Sequence, residues 1–415
     1  MLLLMLAALS PPTFYRDVLP ILQTRCQQCH RPGEVAPMPF RTYKEVRPWV
    51  KAIREAVALK RMPPWFAEPG YGPFSNDRSL SPPQIETLEK WADSGAPEGD
   101  PHDAPPAPQW VENWNIQTPD SVFEMPRPFP IPAKGDIDYQ YIVVPTGFTE
   151  DKWVQMAELR PSNAAVVHHA VVYIREPGSS WLREAKPGVP YVPPGYTPSE
   201  RLSNGWTTSD ILLVYSPGSL AENWGKSMGK LIKAGSDLIF QFHYTPNGHA
   251  TSDQSKIGLV FHRDTPEKRV LTLQLDNDRF LIPPEHPNYR VSAWGTIPND
   301  TEIQSFFPHM HLRGASFEYN ITEPGGKPRT LLRVNPYNFH WQLSYRLANP
   351  LMVKAGSKLE CVSYFNNSRN NANNPDPEEA VRFGPQSYEE MMIGFFDIAV
   401  PTNIDKNQFF LRQPQ

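Results

Sequence analysis

The sequence predicts a multidomain chain in which a small all-α domain is followed by two all-β lobes. Three observations carry that expectation. A length of 415 residues exceeds what one hydrophobic core organises, so two or three cores are expected, each able to hold without disulfide staples. Proline at 48 residues and aromatics at 12% favour turn-rich β structure, because proline deletes backbone donors from helix interiors. Helical periodicity surrounds a Cys-x-x-Cys-His near the start, whereas β-branched alternating segments dominate later. A net charge of −4 gives no electrostatic case for nucleic acid or anionic lipid, and a small or neutral partner fits better.

Residues 1–10, Met1-Leu2-Leu3-Leu4-Met5-Leu6-Ala7-Ala8-Leu9-Ser10, form an apolar run too short to span a bilayer, with small residues after it. They are expected to be a signal segment that sends the protein to the periplasm or outside the cell. The positively charged start of such segments is missing, so a truncated start or a buried N-terminal segment stays open. No transmembrane span is expected. With three cysteines, two of them in the Cys-x-x-Cys-His, a disulfide framework is excluded and Cys361 has no obvious partner.

Residues 11–100 are expected to form the helical domain. Thr13 opens a helix that turns Val18, Leu19, Ile21 and Leu22 toward a core and delivers Cys26-Gln27-Gln28-Cys29-His30. Ser81 and Pro82 form an N-cap and N1 pair for a second helix with Ile85, Leu88 and Trp91 on one face, stopped by Gly95. Cys26 and Cys29 suit thioether bonds to two haem vinyl groups, and His30 an axial bond to the iron. Two helices bracketing this motif resemble a small class I cytochrome c, which implies one covalent haem c. Such domains take a methionine as sixth ligand; Met62, in Lys60-Arg61-Met62-Pro63-Pro64-Trp65, matches, with Met38 as the rival. A zinc or thioredoxin-like use of Cys26 and Cys29 lacks a second cysteine pair and a βαβ pattern. Residues 101–132, dense in proline, read as a semi-rigid linker.

The remainder divides into lobes at 133–268 and 269–415. In Val166-Val167-His168-His169-Ala170-Val171, neighbouring strand residues point to opposite faces, so both rings reach one metal only where the strand ends, twists or bulges. Alternation in Leu238-Ile239-Phe240-Gln241-Phe242-His243-Tyr244 puts Gln241 and His243 opposite Leu238, Phe240 and Phe242, so His243 is able to join His168 and His169. In the last lobe His309 and His311 stand two apart, on one strand face, and Glu389-Glu390-Met391 offers a thioether later. Two imidazoles with a soft sulfur suit Cu(I) better than zinc.

The order His-His, Gln-x-His-Tyr, His-x-His-Leu-x-Gly, then Phe383-Gly384 with Glu-Glu-Met resembles the copper type II, ascorbate-dependent monooxygenases, the family of peptidylglycine α-hydroxylating monooxygenase and dopamine β-monooxygenase. The resemblance covers about Phe123 to Phe410. It implies two jelly-roll-like sandwiches, with one copper ion in each, at separate sites facing across a solvent cleft. His168, His169 and His243 would hold an electron-storing copper; His309, His311 and Met391 would hold the copper where oxygen binds, and would be the catalytic residues. Met392 is the off-by-one alternative to Met391, and Met310 reads as a packing residue. The peptide-amidating enzyme carries an arginine where this chain has Phe307, and polar side chains where it has Ile393 and Phe395. An apolar pocket is therefore expected rather than a carboxylate grip.

The resulting expectation is a monooxygenase that hydroxylates a C–H bond of a small organic substrate with O2, fed through the fused haem by an ascorbate-like reductant or a redox protein. A haem and copper electron-transfer or copper-handling protein is the alternative, and sandwiches that merely bind a partner are a third reading. Among other histidines, His102, His249 and His286 are expected at the surface, whereas His340 is a candidate to support a metal ligand. Asp376, Glu378 and Glu379 lack the alternating spacing of a calcium loop.

Overall fold

The computed structural model describes residues 11–110, 114–193, 211–406 and 411–412. The expected signal segment 1–10 lies outside them. The chain forms two compact units: Met1–Trp65 with Asp77–Asn113, and Phe66–Asn76 with Trp114–Gln415.

The first unit is helical. A π-helical turn over Phe14–Val18 runs into a helix at Leu19–Arg25, followed by helices at Tyr43–Val46, Val50–Ala58 and Pro82–Asp93. Phe14, Val18, Leu22, Val46, Leu88 and Trp91 form its buried centre. The Ser81 cap holds as expected, in a reciprocal box with Gln84, and Gly95 ends that helix region at φ +87°. Thr13 precedes the first helical turn without a side-chain cap; its backbone N–H instead donates to Asp17 at 2.7 Å. The Val50–Ala58 helix buries Val50, Ile53 and Val57, a helical stripe that the sequence reading did not single out.

The second unit is a pair of β-sandwiches sharing one outer sheet. A four-stranded sheet, in the order Gln140–Pro145, Asp237–Tyr244, Val167–Arg175, Ile211–Tyr215, closes the first sandwich. Its apolar face, with Ile142, Ala170, Val172, Phe240 and Phe242, packs on Val154, Ala157, Ile257 and Leu259 of the outer sheet. A five-stranded sheet that includes Gly314–Thr322, Ser357–Phe365 and Tyr289–Ile297 closes the second. The outer sheet passes from one sandwich to the other where Met228–Ile232 pairs in parallel with Lys268–Asp276. Lys268–Asp276 is the first strand of the second sandwich.

The expected semi-rigid linker, 101–132, contains two short strands. Ser121–Glu124 pairs with Lys256–Phe261, and Phe129–Ile131 with Thr251–Asp253, so the latter part of 101–132 belongs to the first sandwich. Short β segments between prolines hide their alternation, which is why composition suggested a spacer. Phe66–Asn76 likewise joins the second unit, through Ala67 opposite Val334 and Phe74 opposite Leu347. Cys361 is a fully buried free thiol, and a Cβ at Gly394 would stand 2.4 Å from its sulfur. The two inner faces meet there without room for a side chain, so close packing joins these sheets.

Candidate metal centre

The adjacent histidines are reconciled by a bulge. On the pairing of Val167–Arg175 with Asp237–Tyr244, Val167 lies opposite Tyr244 and His169 opposite His243, with a register shift between Val167 and His169. His168 is thus the extra residue, and both its ring and that of His169 reach His243. The ligand atoms of His168, His169 and His243 lie within 4.8 Å of one another. Leu238, Phe240 and Phe242 point into the core, opposite His243, as alternation requires.

His309 ends the Thr301–His309 strand, and His311 follows just beyond it, with ring centroids 5.2 Å apart. Strand pairing brings the distant thioether to them, because Ile393, two residues past Met391, lies opposite His309, and a buried carboxyl group ties the loop in place. Glu390, fully buried, accepts from the backbone N–H of His311 at 2.9 Å, of Arg313 at 2.5 Å and of Met391 at 3.3 Å. The Arg313 guanidinium in turn donates to Asn367 and to the carbonyls of Tyr388 and Asp376. Met391, rather than Met392, lines a cavity with His169 and His309. Met310 is buried against Gly314, in the packing role expected of it.

The two sets of ligands touch. The rings of His169 and His309 are 5.2 Å apart, so all five imidazoles form one continuous cluster instead of two groups divided by a cleft.

Hydrogen bonds assign which nitrogen of each ring is left for a cation. His309 Nδ1 donates to Gln342 Oε1 at 2.6 Å, and His311 Nδ1 donates to the Glu389 carbonyl at 3.2 Å, which leaves the His311 Nε2 lone pair. On the triad, His169 Nε2 meets the Tyr139 hydroxyl at 3.0 Å, and His168 hydrogen-bonds to the Phe339 backbone while its ring stacks on Phe339 at 4.2 Å. Their Nδ1 atoms face each other at 3.1 Å. His243 Nδ1 and His311 Nε2 are buried without a protein partner. Buried polar atoms are rarely left unsatisfied, and a cation bound at each would satisfy them.

Burial, reinforced by neighbouring imidazoles, lowers the pKa of His168 to about 3 and of His243 to about 4, and holds His169 and His311 well below the usual histidine range. All four are neutral at pH 7, the form that binds metal. Burial also raises the Glu390 carboxyl to about 8, against the pull of its backbone donors.

Sequence reasoning missed Tyr139, Gln342, Phe339 and Glu390, whose roles depend on long-range packing. It pointed to the right segment in naming His340, but that residue is exposed and its neighbours Phe339 and Gln342 support the ligands. His102 and His249 are exposed and His286 half-buried. In the helical unit, Cys26 and Cys29 are half-buried free thiols, and burial pushes the Cys26 thiol up to about 12. His30 stacks on Phe40 at 4.2 Å, and its Nδ1 donates to the Met38 carbonyl at 3.0 Å. Met38 packs on the helical core with Cys26, and Met62 is half-buried past the Val50–Ala58 helix.

No family model matches this chain, and no curated protein matches it. Among solved structures, it is similar to that of the infectious bursal disease virus Gx strain at 8% identity, over 70% of this chain and 75% of that one, with a TM-score of 0.20. The VP2 subviral particle of the same virus gives 10% identity, 72% and 77% coverage and a TM-score of 0.21. Similarity at that level carries no argument about fold or function.

Proposed function

We propose that this chain is a copper-dependent monooxygenase that hydroxylates a C–H bond of a small organic substrate, with electrons delivered through a fused c-type haem. The observation that carries this reading is the convergence of five imidazoles and the Met391 thioether, with His243 Nδ1 and His311 Nε2 buried and unpartnered. Imidazole with a soft thioether suits copper over zinc. His168, His169 and His243 would hold one ion, and His309, His311 and Met391 the other. Reductive activation of O2 is the chemistry that copper supplies when bound at these residues.

The protein's own groups do the rest. The Gln342 and Glu389 carbonyl oxygens hold His309 and His311 with the proton on Nδ1, and the Tyr139 hydroxyl orients the His169 ring at Nε2. Phe307, Ile393 and Phe395 line the adjoining cavity and keep water from the reacting carbon. Thiols at Cys26 and Cys29, with His30 Nε2, suit a covalent haem, which supplies electrons one at a time; Met62 or Met38 would complete its coordination. In this reading the helical unit is a class I cytochrome c-like domain, the sandwiches are jelly-roll-like, and the protein is exported. Its electrons come from an ascorbate-like reductant or a redox protein. Among the described residues no helix is long and apolar enough to cross a membrane.

The test is oxygen uptake by copper-loaded protein with ascorbate, comparing wild type with His309→Ala and following haem absorbance. Uptake and haem reoxidation that both need His309 would support an oxygenase. Haem that cycles without copper-dependent oxygen use would leave an electron carrier instead.

A further inference from the structure

One piece of chain covers both edge strands that flank residues 335–344. Among the described residues, Arg329–Val334 ends the five-stranded sheet and Tyr345–Val353 ends the outer sheet, and such edges present unpaired backbone groups. Phe66–Asn76 lies in the chain between Trp65 and Asp77 of the helical unit and crosses from one edge to the other, with Ala67 opposite Val334 and Phe74 opposite Leu347.

Its hydrogen bonds gather at the two ends of the loop between those strands. At the start, the Asn335 N–H donates to the Phe66 carbonyl at 3.1 Å and the Asn335 side chain to Glu68 at 2.7 Å. At the end, Asn76 Nδ2 donates to the Ser344 carbonyl at 2.7 Å while its Oδ1 accepts from the Arg346 N–H at 2.9 Å. A single side-chain amide thus supplies the donor and the acceptor that a paired strand would otherwise provide. The loop so pinned meets ligands of both sets. Gln342, two residues before Ser344, is buried and accepts from His309 Nδ1 at 2.6 Å, and Phe339 stacks on His168 at 4.2 Å. Residues 335–344 form neither helix nor strand, so contacts at their ends and with the core beneath must fix their conformation.

We propose that Phe66–Asn76 is a strap that fixes this loop, and that Asn76 is a positioning residue that keeps Gln342 on His309. Pinning both ends removes freedom that the loop would otherwise lose when Gln342 seats, and a supporting group displaced by about 1 Å no longer holds its ring. The strap itself needs no metal; only its effect on copper rests on the function proposed above.

The experiment compares the wild-type full chain with Asn76→Ala and with the nearly isosteric Asn76→Asp, which keeps the acceptor and loses the donor. In metal-free protein the proton NMR signal of His309 Nδ1–H should shift or broaden in both variants, as it does in Gln342→Leu. Backbone amides of residues 335–344 should exchange about tenfold faster, the scale set by losing a hydrogen bond, while those of Gly314–Thr322 keep their wild-type rates. Copper at His309 should weaken about tenfold in competition with a chelator, and Asn76→Ala should cause no further loss in a Gln342→Leu background, because two residues acting on one ring are not additive. An unmoved His309 signal in the folded variants, or a full second loss of copper affinity in the Gln342→Leu background, would overturn the proposal. A moved signal in a protein that binds no copper would leave the strap standing and remove the metal centre. Copper-dependent oxygen uptake with an unmoved signal would do the reverse.

Discussion

The triad of His168, His169 and His243 and the set of His309, His311 and Met391 reach the same space by different routes. The triad is local: two neighbours on one strand and a third on the strand hydrogen-bonded to it, converged by a single bulge. The second set also uses paired strands, since His309 lies opposite Ile393, two residues past Met391, but His311 stands beyond its strand and is tied in by Glu390, 79 positions away. A site carried by sheet register stays formed as long as the sheet does. A site closed by one buried carboxylate is easier to disturb and easier to tune.

The sharpest break in that comparison is ligand removal. Met391→Ile should abolish copper-dependent oxygen uptake while triad copper and the haem spectrum stay unchanged; full turnover would remove Met391 from the site. His243→Ala should remove the triad copper and spare the other, as metal content per chain would show. Next come the groups that orient the rings. Gln342→Leu should weaken copper at the His309 site, and Tyr139→Phe at the triad, each about 10–100-fold, measured by competition with a chelator. Equal losses at both sites in either variant would mean that the two sets act as one.

Glu390→Gln tests the long-range route. Replacing an acceptor of three buried backbone N–H groups should cost about 1–3 kcal/mol in denaturant unfolding and weaken copper at Met391 more than at the triad. The smallest effect is on pH dependence. The folded-state pKa of His243 lies near 4, below its ordinary 6.5, so the unfolded chain takes up the proton first. The stability it contributes is present above pH 6.5 and is lost as pH falls toward 4. Metal-free wild type should therefore lose about 1 kcal/mol more than His243→Asn between about pH 7 and 5.5, and bound copper should suppress the difference. Parallel curves without metal would show that His243 is not held neutral by the fold.

Where strand geometry alone decides direction, the sequence was readable. His309 and Phe307 fall on one face, Gln241 and His243 on another, and the need for a distortion at His168-His169 followed from alternation before any coordinates. The helical stretch around Cys26 to His30 was readable for the same reason, since Val18, Leu22, Leu88 and Trp91 recur at helical spacing. Ser121–Glu124 and Phe129–Ile131 escaped because strands of three or four residues among prolines carry too few alternations to register.

By itself the sequence determined which donor atoms exist, which share a face, and that the chain is predominantly β after its helical start, because those depend on backbone periods of a few residues. Only the tertiary structure decided that His169 and His309 stand 5.2 Å apart, that Gln342 and Tyr139 hydrogen-bond to those rings, and that the strand after Met391 pairs beside His309 while Glu390 holds the His311 backbone. Those contacts join strands and loops far apart in the chain, and their existence is set by how two sandwiches pack around a shared sheet, which no short-range pattern encodes.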